Sequence, residues 1–133
     1  MIIKNTTDDA TDASTSVINP DFVTIIIRLK IGTHNRVVEM PLKKDIHIGR
    51  VDPLSEIFPE IDLTDDIAPA KDVSRRHARI SKKDGRVVVQ DLASSNGTFL
   101  NGKRLESYHT EPLSDGDVLQ LGATQIEVKI LAR

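Results

Sequence analysis

The sequence predicts an all-β fold, a β-sandwich of two antiparallel sheets with about 10–11 short strands. Short runs rich in Ile and Val recur along the chain, and turn-forming residues separate them roughly every 8 to 12 positions. Beyond Phe22, no segment keeps a helical hydrophobic period for about ten residues. The 133 residues suffice for one domain with its own core, which must be aliphatic because aromatic residues make up only 3% of the chain.

The first half of the chain predicts a hairpin, a third strand and a long loop. A turn at residues 32–35 separates the β-branched run FVTIIIRLK from the strand that pairs back onto it. Residues 51–73 contain three prolines and are mostly loop. Strands are expected at residues 22–30, 36–40, 46–48 and 61–63.

The second half of the chain alternates strands with glycine turns. Asp84-Gly85 and Gly122 separate two predicted hairpin pairs, and Asn96-Gly97 and Asn101-Gly102 are both typical of hairpin turns. Strands are expected around Ala78 and Ile80 and at residues 86–92, 98–100, 118–121 and 124–131.

Composition divides the chain into a tail and one domain, and it excludes several classes of protein. Residues 1–20 are rich in Ser, Thr and Asp and predict a disordered tail, whereas residues 21–133 form the domain. The absence of cysteine excludes disulfides, thiolate metal sites and cysteine nucleophiles. No apolar run is long enough to cross a bilayer and no secretory signal begins the chain, so we expect a cytoplasmic protein without membrane contact. Nothing in the sequence demands a dimer, and we expect a monomer.

Polar side chains concentrate in four loop segments, each beside a predicted strand. Arginine supplies permanent cations whose planar donors suit phosphate oxygens, serine supplies short hydroxyl donors, and asparagine can pair with a peptide backbone. The set lacks an evident general base, nucleophile or metal cage, so it suits binding of an oxyanion rather than its conversion. The segments are Gly49-Arg50, Ser74-Arg75-Arg76-His77, Ser94-Ser95-Asn96-Gly97-Thr98 and Asn101-Gly102.

The ordered series GR, SRRHARI, SSNGTFLNG and SDGDVLQLG resembles the forkhead-associated (FHA) domain, bacterial type. The likeness spans residues 22–131 and implies a non-catalytic module that binds phosphothreonine peptides in Ser/Thr kinase signalling, without a cofactor. It implies that Arg50 and Ser74 contact the phosphate, that Arg75 and Ser95 assist, and that Asn96 holds the peptide backbone. The resemblance also implies that this chain, like the family, prefers phosphothreonine over phosphoserine. Positions that would mainly shape the loops are Gly49, His77, Gly97, Asn101 and Gly102.

One departure from the family pattern concerns the loop before Ser74, which is long and acidic, with Asp62, Asp65 and Asp66. Because members of the family often select the ligand residue three places after the phosphothreonine through this region, that preference stays open, as do the partner and the kinase.

Other functions have less support in the sequence than phosphopeptide binding. His77 lies near Ser74 in sequence, but a catalytic triad is defined by geometry and no nucleophile-elbow pattern surrounds a serine. His34, His47 and His109 lack metal-ligand spacing. A net charge of −2 and few aromatic residues disfavour nucleic-acid binding. A scaffold that binds protein independently of phosphate remains the alternative.

The tail contains a candidate phosphorylation site. Thr15 is followed three places later by Ile18, an arrangement common in FHA ligands, and in a group of bacterial FHA regulators a phosphorylated threonine in such a tail occupies the domain's own site. The sequence therefore raises the hypothesis that phospho-Thr15 closes the site in cis, against the alternative of an inert tail.

Overall fold

The structure, a computed structural model, describes residues 23–66 and 73–133, which form eleven strands in two sheets. The strands are β1 (Ile25–Ile31), β2 (Arg36–Pro41), β3 (Ile46–Gly49), β4 (Ile61–Asp62), β5 (Arg76–Lys83), β6 (Arg86–Asp91), β7 (Thr98–Leu100), β8 (Lys103–Arg104), β9 (Thr110–Pro112), β10 (Val118–Leu121) and β11 (Thr124–Ala132). The all-β prediction and the expected number of strands are confirmed.

One sheet has the order β2-β1-β11-β10-β7-β8 and the other has the order β4-β3-β5-β6-β9. Every pairing is antiparallel except that of β3 with β4, which is parallel and only two residue pairs long. The predicted sandwich of two antiparallel sheets is therefore confirmed, except for one short parallel pair at the edge of the second sheet.

Aliphatic side chains from the inner faces of the two sheets form the core. Strand β1 turns Ile27, Leu29 and Ile31 inward at alternate positions, each no more than 1% exposed. The facing sheet contributes Ile48 and Ile80, both fully buried. The low aromatic content thus corresponds to a core of branched aliphatic residues, as expected.

Of the two predicted Asn-Gly hairpin turns, one forms a hairpin and the other does not. Asn101 and Gly102 have positive φ angles of 50° and 87° and join β7 to β8 in a two-residue hairpin, as predicted. Asn96-Gly97 does not close a hairpin, because β6 and β7 belong to different sheets and the segment between them crosses the sandwich. Strands β8 and β9 were not predicted, since neither carries an alternating apolar pattern. Two short 3₁₀ turns, Pro53–Ser55 and Thr64–Asp66, lie within the long loop that precedes β5.

Candidate phosphate-binding site

The approach of β3 to the start of β5 fixes the backbone at Arg50. The Arg50 backbone N–H donates to the Arg75 carbonyl oxygen at 3.2 Å, and the pairing of β3 with β5 shifts register between Ile48 and Gly49. A Cβ atom on Gly49 would lie 1.9 Å from that same Arg75 oxygen. Only glycine allows the two backbones to come this close, so Gly49 brings the two arginine-bearing segments together.

His77 joins two of the predicted loop segments from inside the protein. The imidazole is fully buried. Its Nδ1 accepts a hydrogen bond from the Ser74 backbone N–H at 3.0 Å, so Nε2 must carry the proton and donates to the Gly97 carbonyl oxygen at 2.9 Å. Burial lowers the pKa of His77, which keeps the ring neutral as this pairing requires. Both ring nitrogens are therefore engaged with backbone groups of the loops.

Asp91, at the end of β6, organises the segment that carries Ser95 and Asn96. Its carboxylate, only 2% exposed, accepts hydrogen bonds from the hydroxyls of Ser94 at 2.5 Å, Thr98 at 2.7 Å and Ser107 at 3.1 Å. Burial on its own raises the pKa of Asp91, but these hydrogen bonds outweigh burial and leave the pKa below its usual value.

Sequence reasoning missed the role of Asp91 in building this loop. The signal was a general one, because aspartate favours turns in which its carboxylate accepts a hydrogen bond from a nearby backbone N–H group. The Ser94 backbone N–H donates to the Asp91 carboxylate at 3.2 Å, as such a turn requires.

A hydrogen bond connects the two serine-bearing loops directly. The Ser95 backbone N–H donates to the Ser74 hydroxyl oxygen at 3.0 Å. One of the two lone pairs of the Ser74 hydroxyl is thereby used within the protein, and its O–H proton can point to a ligand. Ser95 itself is exposed, and Asn96, the next residue of the same loop, is exposed as well.

Four of the five predicted binding residues line one open cavity of about 390 Å³ at this end of the sandwich. They are Arg50, Ser74, Arg75 and Ser95. The remaining lining residues are Ile57, Arg76, Leu92 and Tyr108, which sequence reasoning did not assign to the site.

The three arginines of the cavity differ in how they are held. Arg50 donates from Nε to the Val73 carbonyl oxygen at 2.5 Å, which fixes its side chain beside Ser74. Arg75 donates from a terminal nitrogen to the Asp52 carboxylate at 2.6 Å. The hydrogen bond from Arg75 lowers the pKa of Asp52, so this carboxylate stays ionised at the rim of the site. Arg76 is exposed. The cavity therefore offers guanidinium groups and hydroxyls together.

The acidic residues before Ser74 serve the loop that contains them. Asp62 accepts from the backbone N–H groups of Val51 at 3.2 Å and Thr64 at 3.0 Å. Asp66 pairs with Arg36 of β2 at 2.7 Å. These contacts account for two of the three carboxylates without reference to a ligand.

The residues predicted to shape loops take up several kinds of contact. Gly97 has φ of 89°, and a Cβ there would lie 3.0 Å from the Arg104 guanidinium. Asn101 accepts from the Val118 backbone N–H and donates to the Asp117 carboxylate, both at 2.9 Å, and so ties the β7–β8 turn to the start of β10.

Residues 23–66 and 73–133 contain no cluster of three side chains that could ligate a metal ion. In the same two ranges, no helix is long and apolar enough to cross a membrane. Thr15 and Ile18 lie outside the described residues, as does the predicted tail boundary.

Fold and cavity together define a β-sandwich whose loops converge on an open cavity lined by arginine and serine side chains. The sequence profile described as the FHA domain matches residues 46–122, more than half of the chain. The chain belongs to the FHA domain family, as its motifs implied.

Known proteins that resemble the chain come from eukaryotes and bacteria. It is 40% identical over 82 residues to a probable E3 ubiquitin-protein ligase, dma1, of Schizosaccharomyces pombe, covering 59% of the chain and 30% of that protein. It is 33% identical over 87 residues to the FHA domain-containing protein FhaB of Mycobacterium tuberculosis, covering 65% of the chain and 48% of that protein. The chain thus spans less than half the length of either relative.

Among solved structures, the chain resembles one from a study of phosphothreonine-dependent FHA domain interactions. The TM-score is 0.60 at 27% identity, and the match covers 80% of the chain and 95% of the other.

Proposed function

We propose that the chain binds phosphothreonine peptides through the cavity lined by Arg50, Ser74, Arg75 and Ser95. The observation that carries the proposal is their convergence on one cavity from three separate segments of the sequence. A phosphate ester carries about −1.5 to −2 charge at neutral pH and has three strong acceptor oxygens. Guanidinium and hydroxyl donors around one open space match that ligand in charge and in hydrogen bonding.

Arg50 and Ser74 are assigned to the phosphate itself. Arg50 is anchored through Nε, and among the described residues no acceptor engages its terminal amino groups. Ser74 receives the Ser95 N–H on its oxygen and can donate its own proton outward. Each charge-assisted hydrogen bond contributes about 1.5–3 kcal/mol, so two or three suffice for specific, reversible binding.

Arg75, Ser95 and Asn96 are assigned supporting roles. Arg75 shares its guanidinium with Asp52 and donates to the phosphate from its other nitrogens. Ser95 lies at the cavity wall, and Asn96 binds the peptide backbone beside it. The preference for threonine over serine rests on family membership and on the phosphothreonine-dependent relative.

A binding experiment with matched peptides tests the proposal. We expect a phosphothreonine peptide library to bind, the phosphoserine library to bind more weakly, and the unphosphorylated library and single-stranded DNA not to bind. Arg50→Ala should remove phosphopeptide binding. Arg28→Ala, which breaks an ion pair between Arg28 of β1 and Glu39 of β2, should leave it unchanged. Binding that ignores phosphate would support the phosphate-independent scaffold instead. Binding that survives Arg50→Ala would contradict the assignment of Arg50 to the phosphate.

The proposed setting is that of an adaptor or regulator that acts downstream of a Ser/Thr protein kinase, as a cytoplasmic monomer without cofactor or catalysis. Its partners would be proteins that the kinase has phosphorylated on threonine. Size-exclusion chromatography with light scattering tests the monomer, and copurification from cells with and without kinase inhibition tests the adaptor role.

Autoinhibition by the tail is part of the proposal. Phospho-Thr15 would bind the chain's own cavity, because tethering raises its effective concentration over that of external peptides. The test compares the Thr15-phosphorylated chain with the unmodified chain for affinity toward an external phosphopeptide. Equal affinities would exclude the idea, whereas loss of external binding that Thr15→Ala prevents would support it.

A further inference from the structure

A second open cavity, of about 420 Å³, lies at the opposite end of the sandwich from the phosphate-binding site. Strand β5 connects the two cavities, because Arg76 at its start lines the first and Lys82 near its end lines the second. Six residue steps along a strand span about 20 Å, so the two cavities are separate surfaces of the domain.

Three lysines make the second cavity cationic, and we call this surface the lysine end. Lys43 and Lys44 lie between β2 and β3, Lys82 belongs to β5, and all three line the cavity and are exposed. Asp45 also lines the cavity, but its carboxylate is paired with Arg79 at 3.6 Å. Within residues 23–66 and 73–133, none of the three lysines forms an ion pair. A cleft lined by charges of one sign attracts a ligand of the opposite sign.

The start of the described chain is fixed at the lysine end. The Thr24 backbone N–H donates to the Arg133 carbonyl oxygen at 2.7 Å, and the Thr24 carbonyl oxygen accepts from the Arg133 N–H at 2.8 Å. These hydrogen bonds extend the pairing of β1 with β11. Val23 and Thr24 both line the cavity. The residues before Val23 are therefore joined to the domain at this cavity.

The sequence before Val23 carries the opposite charge. Residues 5–21 contain no lysine or arginine and include the aspartates Asp8, Asp9, Asp12 and Asp21. An exposed ion pair contributes only about 0.2–1 kcal/mol, which is too little for a separate acidic chain to overcome the cost of association. A segment tethered beside the lysines has an effective concentration of the order of millimolar, so a few weak pairs suffice to hold it.

We propose that the acidic segment at residues 8–12 binds the lysine end. Ten residues lie between Asp12 and Val23 and reach about 35 Å when extended, so the tether allows the contact. Thr15, three residues after Asp12, would then be held near the lysine end. The contact leaves the phosphate-binding cavity open to external peptides, and it does not depend on phosphopeptide binding.

Paramagnetic relaxation enhancement, measured on the 133-residue chain, tests the contact. The chain has no cysteine, so Ala10→Cys provides a single attachment point for a nitroxide label between Asp9 and Asp12. We expect the label to broaden the amide signals of residues 43–45 and 82–83 at about 0.01 M salt. The broadening should fall at least about twofold at about 1 M salt, where the Debye length is about 3 Å instead of about 30 Å.

Two matched pairs of substitutions separate specific attraction from general attraction to the protein. Lys44→Gln with Lys82→Gln removes two charges from the lysine end and should reduce the broadening at least about twofold. Lys30→Gln with Lys129→Gln removes two charges from exposed positions of β1 and β11 and should leave the broadening unchanged. The amide spectrum of each variant also reports whether the fold is intact.

Replacing the acidic residues separates attraction from tethering alone. The labelled chain with Asp8→Asn, Asp9→Asn and Asp12→Asn keeps the tether but loses three negative charges, so the broadening should again fall at least about twofold. Broadening that does not change in this variant would overturn the proposal, because tethering alone would explain it. An equal loss in the two lysine pairs would overturn it as well. Phosphopeptide binding enters none of these measurements, so their failure would leave the proposed function standing.

Discussion

Gly49→Ala should both destabilise the domain and dismantle the site. The added Cβ would lie 1.9 Å from the Arg75 carbonyl oxygen, whereas ordinary contacts begin at 3.4 Å. Relief requires β3 and the start of β5 to separate by about 1.5 Å, and two backbone segments cannot yield as a flexible side chain does. The hydrogen bonds that Arg50 donates to Arg75 and Val73 would be lost or stretched. Overpacking and these bonds together cost about 3 kcal/mol.

Thermal unfolding and phosphopeptide titration measure the two effects. For a domain of this size, about 3 kcal/mol corresponds to a fall in Tm of about 10–20 °C. Affinity should fall at least about tenfold even at temperatures where the variant is folded, because Arg50 moves away from Ser74. The control is Gly85→Ala in the β5–β6 turn, where φ is +78° and nothing lies within 4 Å of the added Cβ. That variant should lose only about 1 kcal/mol, from backbone strain, and keep its affinity. If Gly49→Ala is no less stable than Gly85→Ala, the close approach of backbones does not limit this position.

Three further outcomes follow from the contacts around the cavity. Asp91→Ala leaves three hydroxyl donors without their acceptor and should lower the free energy of unfolding, measured in urea, by about 3 kcal/mol. Ser107→Ala removes only the longest of these hydrogen bonds and should cost under about 1 kcal/mol. Equal losses would contradict the idea that the Asp91 carboxylate stabilises the loop through all three hydrogen bonds. Because burial lowers the pKa of His77, its contribution to stability is complete above the unfolded-state pKa of ~6.5 and declines as pH falls through the lower folded-state value. NMR titration should find the ring pKa below ~6.5, and a value at or above that would refute its buried neutral state. Asp52→Asn keeps an acceptor for Arg75 but removes an anion that competes with phosphate, so phosphopeptide affinity should rise about threefold, and weaker binding would mean that the charge is needed to position Arg75.

The parts of the fold that sequence predicted are those with local signals. Strand β1 was predictable because isoleucine occupies four of its seven positions. The β7–β8 hairpin was predictable because Asn101-Gly102 accepts two positive φ angles at little cost. Strand β9, Thr-Glu-Pro, has no such signal and exists because β6 offers it a hydrogen-bonding edge. Asn96-Gly97 resembled a hairpin turn locally, but the chain changes sheets there, and that choice depends on packing across the whole sandwich.

The candidate site, like the fold, has features that local sequence signals predict and features that they do not. Arg50, Ser74 and Ser95 could be named from motifs, since each follows or precedes a strand in a recognisable order. The ion pair between Asp52 and Arg75, 23 residues apart, depends on loops that meet only in the folded chain. The same is true of the placement of Ile57 and Tyr108 in the lining of one cavity. The periodicity of the sequence does not indicate that residues so far apart lie close together in the fold. Tyr108 in particular has φ of 66°, and nothing in its neighbourhood indicates a left-handed backbone.

The hydrogen bond from the Ser95 N–H to the Ser74 hydroxyl has a consequence for the kinetics of recognition. Because it already joins the two loops in the ligand-free molecule, the protein has little searching left to do when a peptide arrives. The entropic cost of docking then falls mainly on the extended peptide. The association rate constant should therefore be high, and differences in affinity between ligands should lie in their dissociation rate constants.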